Sequence, residues 1–309
     1  MKLLIQIPCY NEEKTLSNVL EDIPKSIPGI DTIETQIIDD GSTDKTVEIA
    51  KLYNVDYIIS YIGNKGLGNA FKKGIENALK VNADILVNTD GDNQYKSTDI
   101  PKLIKPILDN KADIVIGNRQ TDKIQHFSKM KKFLQKLGSK TTQLLAGIKV
   151  KDAVSGFRAY SNNALLELNI TSDYSYVLDT TIQAGKKGIT IDYVNIETNP
   201  PTRPSRLFNT MWGHIKKSTA NMVRVYTMYE PFKIFLTLGI ISLFIGIYPI
   251  TRFLYFYFIN QHSGHTQSLL LGTMFVIIAF QFFGLAIVAD LLNKQRKLTE
   301  DILLKLKKR

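Results

Sequence analysis

Ile85-Leu86-Val87-Asn88-Thr89-Asp90-Gly91-Asp92-Asn93-Gln94 is the stretch whose reading decides the fold of this chain. An apolar, strand-forming run delivers two aspartates, one glycine apart, to its carboxyl end. Ligands of an open α/β sheet collect outside the carboxyl ends of the strands. Carboxylates set there suit a hard divalent cation, which takes oxygen ligands and is often shared with substrate phosphates. The competing reading is an ordinary turn, because Asp, Gly and Asn are also turn residues. These ten residues leave the two readings level, and the flanking chain separates them.

Upstream, Leu3 to Ile7 reads as a buried strand ending in Pro8-Cys9-Tyr10-Asn11-Glu12-Glu13, followed by a helix with Leu16, Val19, Leu20 and Ile23 on one face. Thr35 to Ile38 is a second strand ending in Asp39-Asp40-Gly41-Ser42-Thr43-Asp44. Tyr57 to Tyr61 is a third, before Gly63-Asn64-Lys65-Gly66-Leu67-Gly68-Asn69-Ala70 and another helix. Downstream, helical spacing over 98–110 leads to a fifth strand, Ile114 to Gly117, which ends in Asn118-Arg119. A last strand is expected from Ile189 to Ile196. This alternation predicts an α/β domain with a mostly parallel sheet covered by helices on both faces.

Acids, amides and one arginine thus gather on a single rim. Asp44 and Asp99 are explained as helix N-caps. Asp39, Asp40, Asp90 and Asp92 are not, since paired acids repel unless a cation or a hydrogen-bonding ligand sits between them. Two nucleotide folds are excluded. The place of a dinucleotide Gly-x-Gly-x-x-Gly, after the first strand, holds Pro8-Cys9-Tyr10-Asn11-Glu12, and no phosphate-loop motif occurs.

At 309 residues the chain is long enough for a large core and more than one domain. Its net charge of +10 calls for an anionic partner. Nucleic acid is not expected, because much of the charge flanks apolar runs and no recognised module is present. With Cys9 the only cysteine, internal disulfides and a four-cysteine zinc site are excluded. The chain enters a strand pattern at once, so no cleaved leader is expected.

Pro8-Cys9-Tyr10-Asn11-Glu12, Asp39-Asp40-Gly41-Ser42, Asn64-Lys65-Gly66-x-Gly68-x-Ala70 and Asp90-Gly91-Asp92, in this order and spacing, resemble a family 2 glycosyltransferase with a GT-A fold. The resemblance implies a nucleotide-sugar donor, UDP- or GDP-linked, and a Mg²⁺ or Mn²⁺ cofactor. It implies that Pro8, Tyr10, Glu12 and Asp39 hold base and ribose, with Asp40 close by, and that Lys65 and Arg119 join the donor site. Asp90 is expected against the ribose side and as a further metal candidate. Asp92 is expected to bind the metal, with Gln94 completing its shell.

Residues 126–145 interleave Lys129, Lys131, Lys132, Lys136 and Lys140 with apolar residues, which reads as the solvated face of a helix. The helix leads into Asp152-Ala153-Val154-Ser155-Gly156-Phe157-Arg158-Ala159-Tyr160. That string resembles the acceptor segment of polyprenyl-phosphate glycosyltransferases of the dolichol-phosphate mannose synthase kind, with Val154 a small departure. Ser155 and Arg158 suit a phosphate monoester, a hydroxyl beside a guanidinium fork. Asp152 is expected to orient the acceptor or, for a hydroxyl acceptor, to act as base. Asp179, where relatives often carry glutamate, is left without a role. Arg203 and Arg206, in the proline-rich 199–206 loop, are expected on donor diphosphate or lipid phosphate. The Gln-x-x-Arg-Trp signature of processive synthases is absent around Trp212.

The C-terminal third changes character. Residues 205–231 mix apolar and basic residues, as in helices lying in a membrane interface. Ile234 to Thr251 and Gln267 to Ala289 carry no charge, and the first run resumes beyond Arg252 to Ile259. Each approaches or exceeds the roughly 20 residues that cross a hydrocarbon core. Asn260 to Thr266 has no Lys or Arg, whereas both flanks are basic, which puts both termini in the cytoplasm at a cell membrane or endomembrane. The expected domains are 1–204 (catalytic), 205–231 (interfacial), 232–291 (a transmembrane hairpin) and 292–309 (a basic tail). A homo-oligomer is compatible with the sequence.

The expected reaction is inverting transfer of a hexosyl group to a polyprenyl phosphate. Such a phosphate, with a second pKa of about 6, is already mostly anionic and needs no dedicated base. Catalysis then rests on Asp92 with its metal, Arg158 and Asp152. The alternatives are a transferase to a hydroxyl acceptor and a catalytically inactive membrane-anchored binding protein.

Overall fold

The protein is described by a computed structural model covering residues 1–120, 129–170, 176–200, 219–220, 223–259 and 266–308. It divides into two compact units, the first formed by residues 1–222 and the second by 223–307.

In the first unit, β1 (Lys2–Cys9), β2 (Thr32–Asp39), β3 (Tyr57–Ser60), β4 (Ile85–Asn88), β5 (Ile114–Asn118), β6 (Arg158–Ser161) and β7 (Ile191–Asn195) form one sheet in the order β3-β2-β1-β4-β6-β5-β7. All neighbours are parallel except β6, which runs antiparallel between β4 and β5. The expected mostly parallel α/β sheet is therefore present, with one reversed strand that the sequence reading lacked.

Among the described residues, helices α1 (Leu16–Glu21), α2 (Thr46–Leu52), α3 (Leu67–Lys80), α4 (Ile100–Leu108), α5 (Lys129–Ala146), α6 (Asn162–Glu167) and α7 (Tyr176–Lys187) belong to the same unit. Both faces of the sheet are covered, so strand residues of either parity are buried. Leu3, Ile5, Ile7 and Val87 pack with Leu16, Val19 and Leu103 on one side. Leu4, Leu86 and Ile116 pack with Phe71, Tyr160 and Tyr176 on the other. Each fully buried aliphatic side chain contributes about 2 kcal/mol of transfer free energy.

The two predicted helix caps differ. Asp44 lies one residue before the cap position of α2, which is Lys45, yet it accepts from the Thr46 N–H at 3.0 Å. Asp99 occupies the cap position of α4 without capping it. Its carboxylate takes Lys102 Nζ at 2.7 Å and the Glu197 N–H at 3.1 Å instead.

The second unit is built on two helices, Pro231–Phe258 of 28 residues and Thr266–Lys307 of 42, both long and apolar enough to cross a membrane. Only 17% and 11% of their most apolar windows are buried, the reverse of a soluble core helix. Phe244, Tyr248 and Phe280 point outward. Pro249 lies inside the first helix without ending it. Small residues bring the backbones together, as in membrane helix pairs. A Cβ on Gly246 would stand 2.8 Å from Gly272 O, and Ser242 Oγ donates to Phe275 O at 2.9 Å. The second helix continues past the apolar window, so residues expected as a tail are helical as far as Lys307. There Arg296 stacks 4.0 Å from the Tyr229 ring centroid and bonds Glu300 at 3.0 Å.

Candidate active site

The carboxyl ends of β1, β2 and β4 and the loops after them are tied into one rim. Cys9 O accepts from the Asp40 N–H at 2.9 Å, the Asn11 N–H donates to Ser42 Oγ at 2.9 Å, and the Glu12 N–H donates to Thr46 Oγ1 at 2.8 Å. Asp40 accepts the Lys65 and Gly66 N–H groups at 2.6 and 2.9 Å, which orders the loop before α3. Asp39 accepts the Ser42 N–H at 2.9 Å. Thr15 Oγ1 donates to Gly91 O at 2.7 Å and holds the β4 loop against α1. Pro8, Glu12, Asp39 and Asp40 are buried, while Tyr10 and Lys65 are exposed. Cys9 is no nucleophile: burial first, then Glu12, Asp39, Asp44 and Asp90, push its thiol well above the usual range.

On the β4 loop, Asp92 is half-buried and Gln94 embraces it. The Gln94 N–H reaches Asp92 Oδ1 at 3.1 Å and Gln94 Nε2 reaches Oδ2 at 2.7 Å. Among the described residues no group of three or more His, Cys, Asp or Glu side chains could hold a metal. The donors present are nonetheless hard oxygens, and Mg²⁺ is ordinarily held by one or two carboxylates with water and substrate phosphates. Asp92 fits such an ion, and Gln94, whose Nε2 faces the carboxylate here, would join the shell by turning its amide to present the oxygen.

Asp90 faces another way. A Cβ on Gly156 would stand 3.2 Å from both Asp90 carboxylate oxygens and from Tyr176 Oη, so the carboxylate rests against the bare Gly156 backbone. The 152–158 segment therefore meets the β4 loop at Asp90. Ser155 Oγ is buried and makes no hydrogen bond among the described residues.

Two expected roles change with the geometry. Arg158 is wholly buried and its guanidinium is committed to the protein. Nε donates to Ser155 O at 2.8 Å, Nη1 to Val177 O, Thr180 Oγ1 and Thr181 Oγ1 at 3.0 Å each, and Nη2 to Ala153 O at 3.2 Å. No fork is left for a phosphate; the residue braces the loop from beneath. Asp152 is gripped by Arg119 through Nε to Oδ2 at 2.8 Å and Nη2 to Oδ1 at 2.9 Å. Burial alone would raise the Asp152 carboxyl, but Arg119 more than reverses this and holds it below the usual carboxylate range. A carboxylate so stabilised is a poor base. Asp179 is buried on α7 and accepts from Gln183 Nε2 at 2.7 Å. Arg203 and Arg206 lie outside the described residues. Just before them, Asn199 docks on the metal-candidate loop, its N–H on Gln94 O at 2.9 Å and its Nδ2 on Asn93 O at 3.0 Å.

Sequence reasoning missed Tyr95 and Tyr176. Tyr95 Oη accepts the Gly156 N–H at 3.0 Å, and its ring stacks on Phe157 at 5.3 Å. Tyr176 Oη donates to Gly156 O at 3.2 Å. A tyrosine inside a polar loop was the one available signal for the first; nothing in the sequence marked the second.

Comparison with known proteins identifies the family and the fold. The model of Glycosyl transferase family 2 matches residues 4–168. A UDP-N-acetylglucosamine–dolichyl-phosphate N-acetylglucosaminyltransferase of Methanococcus voltae is 34% identical over 214 residues, 62% of this chain and 83% of that one. An undecaprenyl-phosphate mannosyltransferase of Micrococcus luteus is 26% identical over 198 residues, 61% of this chain and 79% of the relative. Among solved structures, glucosyl-3-phosphoglycerate synthase from Mycobacterium tuberculosis, in complex with Mn²⁺ and UDP, shares the fold. Its TM-score is 0.56 at 20% identity, covering 73% of this chain and 78% of that one. With the family model spanning more than half its length, the chain belongs to glycosyl transferase family 2.

Proposed function

We propose that this protein transfers a hexosyl group from a nucleotide diphosphate sugar, carried by UDP or GDP, to a polyprenyl phosphate in the membrane, with inversion at the anomeric carbon. The observation that carries the reading is the meeting of the Asp90 carboxylate with Gly156, which joins the rim of β1, β2 and β4 to the 152–158 segment. Two named relatives act on dolichyl and undecaprenyl phosphates, and both apolar helices are long enough to keep the protein beside such a lipid.

In this reading Pro8, Tyr10, Glu12 and Asp39 hold the nucleoside, and Asp40 works through the Lys65-Gly66 backbone that it orders. Asp92 and Gln94 would hold Mg²⁺ or Mn²⁺, which neutralises charge on the departing diphosphate when bound. Ser155 brings a buried hydroxyl with no internal partner among the described residues, suited to a phosphate oxygen. Arg119 and Asp152, paired and together neutral, fix the start of the 152–158 segment on the same side. The lipid phosphate arrives ionised, so a paired Asp152 is no handicap. A hydroxyl acceptor would need a base, and Arg119 has taken the one expected. Both termini lie in the cytoplasm, on the side of the basic flanks.

Purified protein given radiolabelled nucleotide sugars and polyprenyl phosphate tests the reading. Label is expected in the lipid in the presence of Mg²⁺ or Mn²⁺. Label entering only a hydroxyl acceptor would overturn it.

A further inference from the structure

One row of the sheet is polar where its neighbours are aliphatic. Gln6 on β1 is the register partner of both Gln36 on β2 and Asn88 on β4, and Asn88 is the partner of Arg158 on β6. All four are wholly buried. Their amides run head to tail. Asn77 Nδ2 on α3 donates to Gln36 Oε1 at 2.9 Å, Gln36 Nε2 to Gln6 Oε1 at 2.9 Å, and Gln6 Nε2 to Asn88 Oδ1 at 3.0 Å. Asn88 Nδ2 then donates to Gly156 O at 3.0 Å and to Tyr176 Oη at 2.8 Å. The row dictates the sequence of the helix above it. A Cβ on Gly74 would stand 1.8 Å from Gln6 Oε1, and Gly74 O takes a second hydrogen bond from Gln36 at 3.1 Å.

Burying amides is costly unless every group is paired, and aliphatic side chains would fill the same space. What the amides supply is direction. Because Gln6 presents a proton to Asn88, the Asn88 carbonyl must face Gln6, and its NH₂ must face Gly156. The row therefore ends in a donor aimed at the carbonyl of Gly156, the residue directly after Ser155 and two before β6. The same glycine supports the Asp90 carboxylate.

We propose that Asn88 is a positioning residue for the acceptor half of the site. Oriented by Gln6, Gln36 and Asn77, it fixes the Gly156 carbonyl and with it the placement of Ser155 relative to Asp90. This rests on the reading of residues 152–158 as the acceptor segment given under Proposed function.

Asn88→Asp keeps the shape but replaces the donor with an acceptor, and Tyr176→Phe removes only the bridging hydroxyl. For full-length Asn88→Asp, the KM for polyprenyl phosphate is expected to rise at least tenfold, with the donor KM within twofold of wild type. Amide exchange at 153–157 is expected to quicken at least tenfold, with β1 and β2 unchanged. Tyr176→Phe, the milder variant, is expected to move both readouts in the same direction by less. Wild-type exchange at 153–157 in both variants, or donor and acceptor KM rising together, would overturn the proposal. A wild type that never glycosylates polyprenyl phosphate would refute the functional reading alone, and the exchange measurement would still decide the role of Asn88.

Discussion

Arg119 and Asp152 form a two-pronged ion pair, at 2.8 and 2.9 Å, in which Asp152 is 4% and Arg119 14% exposed. Removing one partner of a buried pair leaves the other uncompensated, so Asp152→Asn is expected to cost about 3 kcal/mol of stability. The pH dependence has a definite sign. A carboxyl held below its unfolded value contributes stability above about pH 4, and that stability is lost as pH falls through the folded value. Denaturant unfolding at pH 7 and pH 3 should therefore show a gap between wild type and Asp152→Asn that narrows in acid. The same ionisation means that turnover above pH 5 has no limb belonging to Asp152.

Asp92→Asn preserves size and the contact with the Gln94 N–H but removes the charge. Turnover is expected to fall by more than about 100-fold. Calorimetric titration with UDP or GDP should lose its response to Mn²⁺ or Mg²⁺. Turnover at the wild-type level would remove Asp92 from the metal assignment.

Gly156→Ala places a methyl 3.2 Å from both Asp90 oxygens and from Tyr176 Oη. Those neighbours must yield by a few tenths of an ångström, a strain of about 1 kcal/mol. Turnover is expected to drop about tenfold, out of proportion to a small shift in thermal midpoint. Parallel assay and melting curves make the comparison.

Cys9 is the only cysteine and is buried, so introduced cysteines report topology against a quiet background. On the proposed orientation, with both termini cytoplasmic, Ser263→Cys should react with an impermeant maleimide in intact cells. Lys305→Cys should react only after permeabilisation. The opposite pattern would invert the orientation.

Most of the sheet was legible because strands covered on both faces appear as nearly unbroken apolar runs. β6 was not, because Arg158-Ala159-Tyr160-Ser161 is short and begins with a cation. It is a strand only because β4 and β5 flank it. Rim residues were legible as types, since acids at strand ends need a reason. Their partners were not: that Asp40 binds the Lys65 N–H, or that Arg119 grips Asp152, depends on loops brought together from distant positions. The same blindness misassigned Arg158, whose chemistry suits a phosphate as well as five protein acceptors. Gln6, Gln36 and Asn88 read as small interruptions of apolar strands, and only register revealed that they form one row.

The helix Thr266–Lys307 is about 63 Å long, twice a hydrocarbon core, and it does not break where the apolar stretch ends. A rigid rod transmits rotation in a way that a flexible tether does not. Arg296, stacked on Tyr229, acts as its fulcrum. Turning the basic end of the rod would be felt at Gly272, where the helix touches Gly246 almost backbone to backbone. Lys294 and Lys297 sit beside that fulcrum and Lys305 lies on the short arm beyond it, so a small displacement of whatever binds them is magnified along the long apolar arm.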